Sequence, residues 1–206
     1  MIFKLLLTTA LAVVIPAIIL TFHEKTDDML MLSRTKKDNC ILSVIGVAIG
    51  ACSTFCFDGM ISICVSVVFS VFLVSAYLDA KIMQVYLIDA IGLALFQIAL
   101  ILLVHSSISK NTAIVCLVVA FVLLTLNMMG CLGLGDSFAI LNTVLMFTWL
   151  EKPIFLFLMG FLFANIAFVA TGLFGKIRGK SVKSRAFVPY IVLFACACSA
   201  LPVHFV

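Results

Sequence analysis

The chain has 206 residues, of which 65% are hydrophobic and 11% are charged, and its formal net charge at pH 7 is +4. Its mean hydropathy of +1.35 excludes a water-soluble globular domain, because a surface that apolar would aggregate in water. The composition therefore predicts a protein that crosses a lipid bilayer several times.

Eight apolar segments are predicted to cross the bilayer as helices. A membrane-spanning helix needs roughly 20 mostly apolar residues, and shorter segments suffice where the bilayer thins. In chain order the predicted spans are 3–22, 40–57, 60–78, 86–105, 113–130, 137–150, 154–174 and 187–204. Because no pair of small residues suited to a signal peptidase follows the first span, we expect that span to be kept as a helix. The predicted fold is an all-α, polytopic transmembrane helical bundle that forms a single domain over residues 1–206.

The basic residues predict how the bundle is oriented, because Lys and Arg concentrate in cytoplasmic loops. With both termini outside, only Lys4, Lys110 and Lys152 lie on the outer side, and the other ten of the 13 basic residues lie on the cytoplasmic side. The predicted topology is therefore N-out and C-out. It places Asp79, at the end of the third span, and Asp136, at the start of the sixth, at the same cytoplasmic face.

Asp79 and Asp136 are the strongest candidates for a chemical role. A charged residue within a span costs about 2.5–3.5 kcal/mol on insertion scales, so such residues usually face the bundle interior and mark a function. Two carboxylates that lie close together share a proton. The ionised member can take a proton from a water that attacks a peptide carbonyl, while the protonated member donates to the carbonyl oxygen. This is the chemistry of an aspartic peptidase, which needs no metal and no cofactor.

Glycines precede the second acid, in the sequence Gly133, Leu134, Gly135, Asp136. Glycine has no Cβ, so the backbone here can leave helical geometry and let an extended peptide approach closely. The alternative is that the glycines allow close helix packing, as small residues do in membrane bundles. The aspartate that follows them favours the first interpretation.

These residues resemble the type IV prepilin peptidase family, a group of membrane aspartic peptidases with a Gly-x-Gly-Asp motif. Gly133 to Asp136 supplies the motif, and it follows an earlier acid, Asp79, at an inner helix end. The family has a basic residue soon after its first acid, which Lys81 matches. The resemblance covers the chain from about Ala76 to the C-terminus and implies a divergent, short member.

The start of the last span also matches, and two positions depart from the family pattern. Phe187, Pro189 and Tyr190 resemble the aromatic and proline-rich start of the family's final span. Tyr86 stands where proline is common, and Phe138 stands where the family usually has lysine.

The resemblance implies a multi-pass enzyme of the inner, cytoplasmic membrane that removes the short basic leader from prepilin or pilin-like precursors. Asp79 and Asp136 would be its catalytic pair, with residues 133–135 as motif backbone. The expected partners are the precursor protein and the lipid bilayer. No nucleic acid is expected, because anionic headgroups and topology account for the basic cluster Lys176–Arg185. N-methyltransferase activity is not expected either, because the connection His23–Asn39 has no cysteine. We interpret that connection as solvated.

Three residues are candidates to support the pair: Lys81 and Pro189 through the resemblance, and Asp89 through its position about one turn inside the fourth span. Asp89 has a second interpretation, as an interfacial residue hydrated from the cytoplasm. The eight cysteines lie almost all in apolar spans and are interpreted as packing residues. His23, His105 and His204 fall at three different span ends or loops, so no metal site is predicted.

Three other functions remain open. The presenilin and signal peptide peptidase group also uses Gly-Leu-Gly-Asp, but after a Tyr-Asp pair, and here Leu78 separates Tyr77 from Asp79. A transporter could use the acids as a proton relay and the glycines as a helix break, although no internal repeat is evident. A peptidase relative that has lost activity would fit the departures at Tyr86 and Phe138.

Overall fold

The computed structural model describes residues 1–26, 34–104, 110–130, 132–177 and 186–201, and within these ranges all regular secondary structure is α-helical. The helices, in chain order, are α1 (Ile2–Thr26), α2 (Lys36–Cys56), α3 (Gly59–Ile82), α4 (Leu87–Val104), α5 (Lys110–Met128), α6 (Leu134–Trp149), α7 (Ile154–Ile177) and α8 (Val188–Ser199). They follow the eight predicted segments in order, so the all-α fold class is confirmed. Outside the described residues lie His105, Cys131, His204 and most of the basic cluster between residues 176 and 185.

The outer surface of the bundle is apolar, as the composition predicts. Four helices are long and apolar enough to cross a membrane, namely α1, α2, α3 and, over Phe155–Phe174, α7. Large side chains such as Phe121 and Leu103 are 71% and 81% exposed. Contiguous apolar surface of this kind marks contact with lipid or protein and not with water. The structure therefore supports a membrane protein, whereas the number of crossings and their direction stay predictions.

The connection between the first two spans is shorter than predicted. Helix α1 continues to Thr26, and α2 already begins at Lys36. Thr35 caps α2, because its Oγ1 accepts the Asp38 N–H at 3.1 Å and the Asp38 carboxylate accepts the Thr35 N–H at 2.9 Å. Apolar runs show which residues lie in the hydrocarbon. Capping residues decide where a helix begins and ends. The predicted connection His23–Asn39 is therefore helical over its first four and its last four residues, and at its first end His23 is buried.

Helix α3 lies at the centre of the bundle and packs against α1, α2, α4 and α8. Its buried residues include Val68, Phe69 and Val74, whose spacing places them on different sides of the helix. Buried serines lie between them, and the Ser66 hydroxyl donates to the Thr8 carbonyl of α1 at 2.7 Å. Small side chains and hydrogen bonds between helices are the usual means of association in a bilayer, where lipid is as apolar as leucine.

Close contact between α1 and α2 depends on two glycines of α2. A Cβ built on Gly50 would lie 2.4 Å from Thr9 Cα, and one on Gly46 would lie 2.6 Å from the Ala12 carbonyl oxygen. Both neighbours are backbone atoms of α1, so neither can move aside without shifting the helix. At this contact the Thr8 hydroxyl lies 3.1 Å from the Gly50 carbonyl oxygen.

A buried polar network joins α4 to α6. The Gln97 amide donates to Asn142 Oδ1 at 3.0 Å, and the Trp149 indole N–H donates to Gln97 Oε1 at 3.2 Å. Asn142 Nδ2 in turn donates to the Ala90 carbonyl of α4 at 3.1 Å. Because these polar groups are buried and hydrogen-bonded, they fix the position of α6 along α4. This holds the N-terminal end of α6, which carries Asp136.

Gly50→Ala is expected to destabilise the protein by about 1–3 kcal/mol, because the added methyl overlaps the backbone of α1. The matched control is Gly92→Ala on α4, where nothing lies within 4 Å of the built Cβ. That change is expected to be neutral or to stabilise by about 0.5–1 kcal/mol through helix propensity. Thermal unfolding in detergent, followed by circular dichroism, checks both. Equal midpoints for the two variants would contradict the close contact.

Candidate active site

Asp79 lies in the last turn of α3 and is only 8% exposed. The helix ends just after it, because Met83 adopts a left-handed conformation with φ of 57° and its N–H donates to the Asp79 carbonyl at 3.0 Å. The Asp79 carboxylate reaches α8, where its Oδ2 accepts the Val188 N–H at 2.9 Å. The first N–H groups of a helix have no partner within that helix. Asp79 therefore caps α8 and is held in one orientation by it.

Asp136 lies in the first turn of α6, three residues after the N-cap Gly133. A Cβ on Gly133 would lie 3.2 Å from Asp136 Oδ2, so a larger residue there would crowd the carboxylate. The side chain thus folds back over the start of its own helix.

The two acids meet at one end of the bundle, which we call the acid end: the C-terminal end of α3 with Asp79 and the N-terminal end of α6 with Asp136. Helix α8 packs against both α3 and α6, and α3 also contacts α6 directly, so the two acids lie on helix ends that pack together. The Asp79 carboxylate lies at the start of α8 and Asp136 lies at the start of α6, where the helix dipole favours negative charge. The structure therefore brings together the two residues that the sequence singled out.

The glycines of the motif have different roles. Gly133 has extended backbone, with ψ of 151°, but Gly135 is already helical. The prediction that the backbone leaves helical geometry was therefore wrong for Gly135. Close packing is what this residue permits instead, because a Cβ there would lie 3.1 Å from both Cβ and Cγ2 of Val85. Leu134 lies between them and is 51% exposed.

The structure places the three candidate supporting residues differently. Pro189 lies in the first turn of α8, directly after Val188, where a missing N–H has little cost. Lys81 extends to Asp38 of α2, with its Nζ 2.5 Å from Oδ2. Residues two apart on a helix do not share a face, so Lys81 points away from the direction of Asp79. Asp89 is bound to a residue that the sequence did not single out, His23.

His23 is buried at the C-terminal end of α1, with only 2% exposure. Its Nε2 lies 2.7 Å from Asp89 Oδ2. The Tyr86 ring stacks on the imidazole, with centroids 3.7 Å apart and planes 5° apart. A signal for this burial exists in the sequence, because Pro16, Leu20 and His23 continue one helical stripe of α1. Asp89 is thus the partner of a buried histidine, with its own side chain 12% exposed.

Ion pairs neutralise other charges at the acid end. Arg34 donates to both oxygens of Glu24 at 2.7 Å, which ties the start of α2 to the end of α1. These hydrogen bonds raise the pKa of Arg34 above its ordinary value.

Within the described ranges, no three His, Cys, Asp or Glu side chains converge on a position that could hold a metal ion.

Asp79→Ala is expected to cost about 1–3 kcal/mol of stability, because it leaves the buried Val188 N–H at the start of α8 without its acceptor. Asp79→Asn keeps an acceptor oxygen of similar reach and should lose less. Thermal unfolding of both variants in the same detergent checks this order. An alanine variant as stable as the wild type would contradict the capping role.

Comparison with known proteins gave no match: none of the protein-family models, the curated proteins or the solved structures is significantly similar to this chain. The case for a function therefore depends on the residues of the site and on the bundle that positions them.

Proposed function

We propose that the chain is a membrane-embedded aspartic endopeptidase, with Asp79 and Asp136 as its catalytic pair, that removes the short basic leader from prepilin or pilin-like precursors. The observation that carries the proposal is that two buried or half-buried carboxyl groups, on helices far apart in sequence that contact each other, lie at one end of an apolar bundle. Burying two carboxyl groups together costs stability, so such a pair usually marks a functional site. The Gly-x-Gly-Asp motif and the acid at the end of α3 point to peptide hydrolysis.

The chemistry needs one water and the two carboxyl groups. The ionised carboxylate takes a proton from the water, whose oxygen attacks the scissile carbonyl carbon, and the protonated carboxyl donates its proton to the carbonyl oxygen. Collapse of the tetrahedral intermediate breaks the C–N bond, and a proton passes to the leaving amine. No covalent bond to the enzyme forms. The hydrogen bond from Val188 to Asp79 supports this role, because it holds one carboxyl group in place before the substrate arrives.

An apolar groove beside Asp136 supports a precursor with an apolar helix as the substrate. The groove lies between α5 and α6 and has a cavity volume of ≈ 190 Å³. Leu134, Ser137 and Phe138 line it from the first turns of α6, so the groove begins at the end of the helix that carries Asp136. Phe138, which departs from the family pattern, makes this wall apolar. A helix lying in the groove would bring the residues that precede it to the acids.

We further propose eight membrane crossings with both termini outside, in the inner, cytoplasmic membrane. The distribution of basic residues between the two ends of the bundle supports this. At the far end, opposite the acid end, Lys4 Nζ donates to the Phe57 carbonyl at 2.6 Å and Lys152 Nζ donates to the Leu201 carbonyl at 2.8 Å. The other basic residues of the fully described segments lie at the acid end: Lys25, Arg34, Lys36, Lys37 and Lys81. Cytoplasmic ends carry the excess of basic residues, so the acids would face the cytoplasm.

Replacing either acid by asparagine is expected to lower leader cleavage by at least about 100-fold, because each change keeps the size of the side chain but removes one titrating carboxyl group. The assay is co-expression of each variant with a tagged prepilin from the same cell, with the mass of the product read by mass spectrometry. We expect wild-type product cut after the leader and carrying no added methyl group.

Asp58→Asn is the matched control for this assay. Asp58 is exposed in the turn before α3, at the far end, and its side chain makes no capping hydrogen bond, so cleavage should be unchanged. Turnover retained in both Asp79→Asn and Asp136→Asn would refute the pair, and so would a wild-type protein that leaves every prepilin tested uncut.

Reporter fusions are expected to place the acid end in the cytoplasm. Green fluorescent protein fused after Met83 should fluoresce, and alkaline phosphatase fused after Glu151 should be active, since the first reporter works inside and the second outside. The reverse pattern would invert the proposed orientation. If the two reporters place Met83 and Glu151 on the same side of the membrane, the number of crossings between these residues is wrong.

A further inference from the structure

We propose that His23 is a positioning residue for the Asp79–Asp136 pair, acting through the connection between α3 and α4. The inference rests on the proposed function, in that it assigns His23 a part in the same reaction, but its structural content can be measured separately. His23 lies on α1, more than 50 residues before the first of the two acids, and no motif includes it.

The imidazole holds the start of α4 at two points. It stacks on the Tyr86 ring, with centroids 3.7 Å apart, and its Nε2 pairs with the Asp89 carboxylate at 2.7 Å. In the first hydrogen bond of α4, the Ala90 N–H donates to the Tyr86 carbonyl at 3.2 Å. Asp89 lies in the first turn. Both contacts therefore act on the point at which the chain enters α4.

The residue before Tyr86 makes the contact with the motif. The connection from α3 to α4 is only four residues long, from Met83 to Tyr86, and Asp79 lies one turn before it. Val85 packs on the backbone of Gly135, with 3.1 Å between its Cβ and the position of a built Cβ. Gly135 directly precedes Asp136. The connection thus contacts the first turn of α6, which carries Asp136, and it directly follows the last turn of α3, which carries Asp79.

Histidine suits this position because one side chain provides both contacts. Its flat ring can stack on an aromatic neighbour, and its nitrogen can hydrogen-bond a buried carboxylate. The Asp89 side chain is only 12% exposed, so water would replace the imidazole poorly. Without the ring, Tyr86 loses its stacking partner and Asp89 loses this hydrogen bond. We expect Val85 then to move off Gly135 and the separation of the two acids to change.

His23→Ala is expected to lower kcat for leader cleavage by about 10- to 100-fold, because a displacement on the order of 1 Å is enough to misalign a catalytic pair. KM should change little, since His23 does not touch the substrate groove residues of α5 and α6. His23→Gln keeps a hydrogen-bond donor near the position of Nε2 and should recover part of the loss. Kinetics on purified protein in detergent, with a prepilin substrate, give both constants.

Thr8→Val is the matched control, because Thr8 is also buried on α1 and bonds across helices, lying 2.6 Å from the Thr54 hydroxyl, but at the far end. If His23 merely stabilised the packing of α1, the two variants would lose activity alike for the same loss in unfolding midpoint. We expect Thr8→Val to keep the wild-type kcat per folded molecule. A His23→Ala variant with wild-type kcat would overturn the inference.

Hydrogen exchange followed by mass spectrometry provides a readout that does not require activity. His23→Ala is expected to lower amide protection in residues 83–90 and 133–138 by about tenfold or more, with residues 60–70 unchanged. Equal loss along the whole chain, or no loss in these two segments, would overturn the inference. If wild-type protein cleaves no precursor, the proposed peptidase fails, while the exchange data still decide whether His23 positions the two acids.

Discussion

The hydrogen bond from the Val188 N–H, at the start of α8, to the Asp79 carboxylate is the interaction on which the site depends. It joins the end of the central helix to the start of the last one, and it satisfies a helix terminus that water would otherwise have to reach. Because α8 also packs on α6, the same contact sets where Asp136 can lie. A single carboxyl group thus closes the bundle at the acid end and provides one half of the candidate pair.

Polar contacts of this kind carry unusual weight in an apolar chain. Apolar side chains gain little from leaving lipid for one another, so packing of small residues and internal hydrogen bonds decide how helices associate. The structure uses both. Gly46 and Gly50 let α1 and α2 touch, and the Gln97–Asn142–Trp149 network holds α4 against α6. His23 adds a third link, from α1 to α4. Each link fixes a helix that carries, or adjoins, one of the acids.

The sequence predicted more of the fold than of the site's surroundings. Eight apolar segments predicted eight helices, since apolar length is a local property of the chain. The prediction that Asp79 and Asp136 share one face needed only an even number of crossings between them. The ends of the helices were predicted less well, because they depend on capping by residues such as Thr35 and Gly133, which hydropathy does not record. The burial of His23 was missed, because a polar residue at the end of an apolar run was interpreted as a loop residue.

The sequence by itself determined the all-helical class, its apolar character and the pair of acids, because these follow from composition and from spacing along the chain. Only the tertiary structure decided which groups touch those acids. The contact of Val85 with Gly135, the cap that Asp79 provides to α8 and the partnership of His23 with Asp89 all join segments far apart in sequence. Such contacts depend on how helices pack and on which rotamers then meet, and no local pattern encodes that geometry.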